Sequence, residues 1–95
     1  MSSSFVDKGV NLEGRNIIVR TVTYHYTGRC VLMTPEWIVL QCAAGVADSG
    51  RWGKALETGE LSEVEVYPDG EECILNRDSV VDITAWRHDL PMATK

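Results

Sequence analysis

The sequence predicts a small, mainly β domain: a strongly bent, five-stranded antiparallel open barrel with short helical segments. Two observations carry that reading. β-Branched and aromatic residues gather into short runs, and turn-forming residues sit between the runs. A third sets the scale. The 95 residues, 44% apolar and 24% charged, suffice for one ordinary globular core without a second domain. A chain of this size buries only about 60–65% of its unfolded surface, so association between copies is a common way to gain stability.

Residues 1–14 read as a polar lead-in punctuated by glycine. Ile17 through Tyr24 has the composition of a strand, and Cys30 through Met33 forms a second run. Between them Gly28 is either a turn or a bend within one long strand. Thr34, Pro35 and Glu36 break the pattern before Trp37 through Cys42 resumes it, which predicts a hairpin with Pro35 in the turn. Asp48, Ser49 and Gly50 offer N-cap groups ahead of a short helix whose apolar stripe is Trp52, Ala55 and Leu56, stopped by Gly59. Trp52 is read as the side chain that fastens this helix to the sheet. Glu63 through Tyr67 alternates as a half-buried strand does, and Pro68, Asp69 and Gly70 turn the chain. Cys73 through Asn76 and Val80 through Trp86 are two further strands separated by Arg77, Asp78 and Ser79. Residues 87–95 read as a loose tail.

The net charge of −5 is unevenly spread. Residues 1–51 carry five bases against four acids, whereas residues 52–95 carry four bases against ten acids. From Glu57 to Glu72 there are seven acids and no base. Such a chain repels phosphate at long range, which argues against non-specific nucleic-acid binding. Cys30, Cys42 and Cys73 lie in apolar runs without close Cys or His neighbours, so they read as small hydrophobes in a reducing compartment rather than metal ligands. No signal-peptide pattern and no apolar run of membrane-spanning length is present, so a cytoplasmic location and no membrane partner are expected. Two isolated histidines, with no phosphate loop, nucleophile motif or metal spacing, lead us to expect neither an enzyme nor a cofactor.

Two segments resemble the Sm-like (LSm) family, whose domain is an SH3-like barrel. Gly28 through Leu40 looks like its first motif, and Ile74 through Ile83 matches the spacing and apolar positions of its second. Arg20 through Arg51, with Thr27, Gly28 and Arg29 and then Asp48 through Arg51, also resembles small proteins encoded by bacteriophages, which would place the chain in the cytoplasm of a host cell. The Sm-like resemblance implies a cyclic homo-oligomer joined edge to edge through Cys73, Ile74, Leu75 and Asn76 on one strand and Val80, Val81 and Ile83 on the other. It also implies RNA or single-stranded nucleic acid as a partner. The chain departs from the family pattern where Thr34 replaces the motif Asp, Ile38 the base-binding Asn and Asn76–Arg77 the Arg-Gly pair. Trp37, Asn76 and Arg77 are the residues left to hold RNA, although Trp37 reads first as core or interface. The alternative is a structural or adaptor ring for another protein, without RNA.

Overall fold

A computed structural model describes residues 12–94. The elements run β1 (Asn16–Thr21), β2 (His25–Met33), β3 (Trp37–Asp48), α1 (Trp52–Thr58), β4 (Glu63–Val66), β5 (Cys73–Asn76), a single 3-10 turn (Arg77–Ser79) and β6 (Val80–Ala85). The six strands form one antiparallel sheet that curls without closing, in the order β4-β3-β2-β1-β6, with β5 beside β3. The mainly β, bent antiparallel architecture is as expected, with six strands where five were expected.

The count rises to six because the first two runs are separate strands and not one long strand bent at Gly28, divided by a turn that β-branched residues concealed. The run Ile17 through Tyr24 stops at Thr21, and residues 22–24 reverse the chain. Thr21 holds that turn, donating from both its backbone N–H and its Oγ1 to the carbonyl of Tyr24, at 3.1 and 2.5 Å. Gly28 is not a turn; it lies inside β2, where the register against β3 shifts. A Cβ at Gly28 would meet Leu40 Cβ at 2.8 Å and the Gln41 carbonyl at 3.1 Å, so only glycine lets the two backbones come this close.

Opposite Gly28, β3 carries one extra residue and Cys42 takes a φ of +52°. This bulge bends β3, which is why the strand continues to Asp48 and pairs twice on its far edge. Residues 37–40 pair with β5, and residues 44–48 pair with β4.

Ile17, Ile18 and Val19 are all fully buried, because both faces of β1 are covered. Ile17 and Val19 join Cys30, Ile38, Leu40 and Leu75 in the barrel interior. Ile18 belongs to a second cluster on the outer face with Ala44, Val46, Val64, Ala55 of α1, Leu61 and Trp86. Full burial of each such aliphatic side chain contributes about 1.5–3 kcal/mol.

α1 starts at Arg51 without a side-chain cap; Asp48 instead accepts from the Gly50 N–H at 2.7 Å. Gly59 ends it in the left-handed region with its N–H on the Ala55 carbonyl, as the sequence predicted. Trp52 packs on the outer cluster and fastens the helix, also as expected.

The segment after β6, expected to be loose, runs back over α1. Trp86 is buried, Leu90 packs on the outer cluster and the His88 ring lies 2.7 Å from the Leu56 carbonyl. Of the N-terminal lead-in, residues 1–11 lie outside the described residues, and Leu12 is part of the interior core.

Candidate interaction surfaces

Trp37, Asn76 and Arg77 come together at one corner. Trp37 stands opposite Asn76 in the β3–β5 register, and Arg77 follows immediately. The turn before β3 is built by Thr34, whose Oγ1 accepts from the backbone N–H groups of Glu36 and Trp37 at 3.2 and 2.9 Å. Arg77 fastens this turn to the 3-10 turn. Its backbone N–H donates to the Glu36 carbonyl at 3.0 Å, and its Nη1 donates to the Thr34 carbonyl at 2.7 Å. Asn76 caps the 3-10 turn by accepting from the Asp78 N–H at 2.9 Å. Trp37 is 46% exposed, so it is a surface residue and not part of the core.

From that corner an apolar row crosses the outer face. Register sets Leu32 of β2 and Ile74 of β5 on either side of Val39 of β3. This face lies opposite Ile38 and Leu40, since successive strand residues point to opposite sides. Val39 is 9% exposed, whereas Leu32 and Ile74 are 43% and 61% exposed.

The edge strands proposed to join subunits each have one neighbour among the described residues: β5 pairs with β3, and β6 pairs with β1. Their outward apolar residues include Ile74 and Val81, each 61% exposed. Cys73 and Leu75 are instead buried in the interior, while Val80 and Ile83 are partly buried against it.

Sequence reasoning missed a charged row beside α1. His25, Arg20 and Asp82 are cross-strand neighbours on β2, β1 and β6. Arg20 grips Asp82 with two guanidinium nitrogens, its Nε lying 2.9 Å from Oδ1, and its Nη2 reaching Oδ2. The guanidinium carbon sits 4.3 Å from the centre of the Trp52 ring, and the His25 ring meets the same indole edge-on at 5.3 Å. The Arg20 hydrogen bond holds the Asp82 carboxyl below its ordinary range. Burial, then the Arg20 charge, pushes His25 down. No local motif announces this row, because its members lie on separate strands.

Cys30 and Cys73 are buried and Cys42 is exposed, all as free thiols; burial pushes the first two up. Among the described residues no helix is long and apolar enough to cross a membrane. In comparisons with protein-family models, curated proteins and solved structures, nothing matches the chain.

Proposed function

We propose that this chain is a non-enzymatic, self-assembling barrel that serves as a structural or adaptor ring for a protein partner. One observation carries the reading. β5 and β6 each lack a second strand neighbour among the described residues, and each presents an apolar side chain, Ile74 and Val81. Unpaired strand edges attract further strands, and joining β5 of one copy to β6 of the next satisfies both with a heterologous contact, which must either close as a ring or run on as a filament; the cyclic form is the one proposed. The Sm-like resemblance supports the same arrangement, and the row of Leu32, Val39 and Ile74 extends the apolar surface beside the β5 edge. Sedimentation velocity at micromolar concentration tests the reading. A discrete multiple of the 10.6 kDa subunit supports it, and a single 10.6 kDa species overturns it.

A second reading, single-stranded RNA at the Trp37 corner, is favoured by one feature: an exposed indole opposite Asn76 and beside Arg77. Base stacking on such a ring is worth about 1–3 kcal/mol. Against it, the Arg77 guanidinium already serves the Thr34 carbonyl, and the acids Glu36 and Asp78 flank the corner. Anisotropy with short oligo-U and oligo-A near 50 mM salt, where phosphate contacts are strong, separates the readings. Binding that Trp37→Ala abolishes favours RNA; no binding by the wild type removes it.

A further inference from the structure

The concave face of the sheet continues beyond the interior core. Register carries it from Val19 of β1 through Tyr26 of β2 and Gly45 of β3 to Glu65 of β4. Val19 is fully buried and Glu65 is exposed. Where the core gives out, the unclosed sheet leaves a groove of about 590 Å³. Tyr24, Tyr26 and Tyr67 line it together with Ala47, and Glu63 and Glu65 bring carboxylates. A Cβ at Gly45 would lie 3.9 Å from Tyr26 Cε2, so the bare glycine leaves the floor open beside the Tyr26 ring. Tyr26 and Tyr67 are fixed by packing on the interior core, and Tyr24 is 54% exposed.

The charge of this groove is one-sided. No basic residue is among the described residues that line it, and β4 falls in the stretch from Glu57 to Glu72 with seven acids and no base. Aromatic faces carry negative potential and attract cations, most strongly where carboxylates add to the field. A lysine or arginine suits both features, because its methylene stem covers apolar surface while its head meets the carboxylates. At the outer edge of β4 a partner chain would take the place of the Thr94 side chain. The Val66 N–H donates to the side-chain hydroxyl of Thr94 at 3.1 Å, and no strand pairs there among the described residues.

We propose that this groove receives a lysine or arginine side chain from an extended segment of a basic protein partner, whose backbone runs along the outer edge of β4. The site is separate from the β5 and β6 edges and stands whether or not the chain forms a ring.

The experiment is fluorescence anisotropy of the full chain with a labelled hexapeptide of alternating serine and lysine, and with the same peptide acetylated on every lysine. The charged peptide binds and the acetylated one does not. Tyr24→Ala, at an exposed position, weakens binding about 2- to 5-fold. The double change Glu63→Gln/Glu65→Gln weakens it about 3- to 10-fold. Gly45→Leu fills the floor and abolishes it, while Asp69→Asn/Glu71→Gln outside the lining leaves it within twofold. Circular dichroism reports that each variant is folded, and Tyr24→Ala keeps the test decisive if Gly45→Leu is not. The proposal is overturned if the charged peptide fails to bind near 50 mM salt. It is equally overturned if Tyr24→Ala binds as the wild type does, which would leave general attraction to an acidic surface as the whole effect. A change in oligomeric mass caused by Tyr24→Ala would assign the groove to a second copy of the chain and also overturn it.

Discussion

The Arg77 guanidinium donates to the carbonyl oxygen of Thr34 at 2.7 Å, joining two turns that lie 43 residues apart in the chain. A cation spent on a backbone carbonyl acts as a brace. Replacing Arg77 with Ala therefore costs stability, about 1–3 kcal/mol for a charged donor to a part-buried carbonyl. Urea unfolding reads this as a lower midpoint at unchanged slope. An unchanged midpoint would show that the brace carries nothing.

The row of Arg20 and Asp82 under Trp52 makes a prediction in acid. The folded state holds the Asp82 carboxyl below its reference value of 3.8, so the stabilisation is complete above that pH and is lost as the pH falls through the folded value. Because both side chains are partly exposed, solvent screens the pair and its coupling is about 0.5–1 kcal/mol. A double-mutant cycle of Arg20→Ala and Asp82→Ala measures that coupling at pH 7, and it shrinks as the pH falls below 3.8 and through the folded value.

His25 works in the opposite sense. Burial beside Arg20 lowers its pKa from 6.5, so the unfolded chain takes up a proton before the folded one does. This cost is absent above pH 6.5, grows as the pH falls through the interval between the unfolded and folded values, and is complete below the folded value. His25→Phe keeps a ring against Trp52 without the titration, so its melting temperature falls less than that of the wild type between pH 7.5 and pH 5. Parallel pH profiles for the two proteins would contradict this account of His25.

Two glycines on neighbouring strands should respond very differently to alanine. Alanine at Gly28 puts a Cβ 2.8 Å from Leu40 Cβ and against the Gln41 carbonyl, which forces β2 and β3 apart. Overpacking of this kind costs about 1–3 kcal/mol. Alanine at Gly45 meets only Tyr26 Cε2 at an ordinary 3.9 Å. Thermal melts should therefore show Gly28→Ala well below the wild type and Gly45→Ala close to it.

Much of the fold was legible in local chemistry. The continuous run Ile17, Ile18 and Val19 marks a strand covered on both faces, and Gly59 marks the helix stop. What escaped depends on contacts distant in sequence. The turn after Thr21 has β-branched residues where turn residues are usual, because a threonine hydroxyl closes it. The length of β3 rests on a bulge at Cys42 that forms only against Gly28. The tyrosine groove left one trace, since Glu63, Glu65 and Tyr67 share a period of two and so one face. That alternation reads as an ordinary half-buried strand with its acids toward water, and only the register across β2, β3 and β4 places Tyr24 and Tyr26 beside them. The structure brings Trp37, Asn76 and Arg77 to one corner, and the bond from Arg77 to the Thr34 carbonyl, 43 residues away, leaves no local mark in the sequence.

The central claim is that the edge of β5 in one copy pairs with the edge of β6 in the next. Blocking each edge in a different protein tests it most directly, with Ile74→Lys placing a charge on β5 and Val81→Lys placing one on β6, both at exposed positions. Light scattering should give a discrete oligomer for the wild type and 10.6 kDa for each variant alone. Mixing the two variants restores one intact β5–β6 contact and yields a heterodimer of twice that mass, because each blocked subunit still offers the edge its partner needs. A wild type at 10.6 kDa, or variants that assemble as the wild type does, would contradict the account.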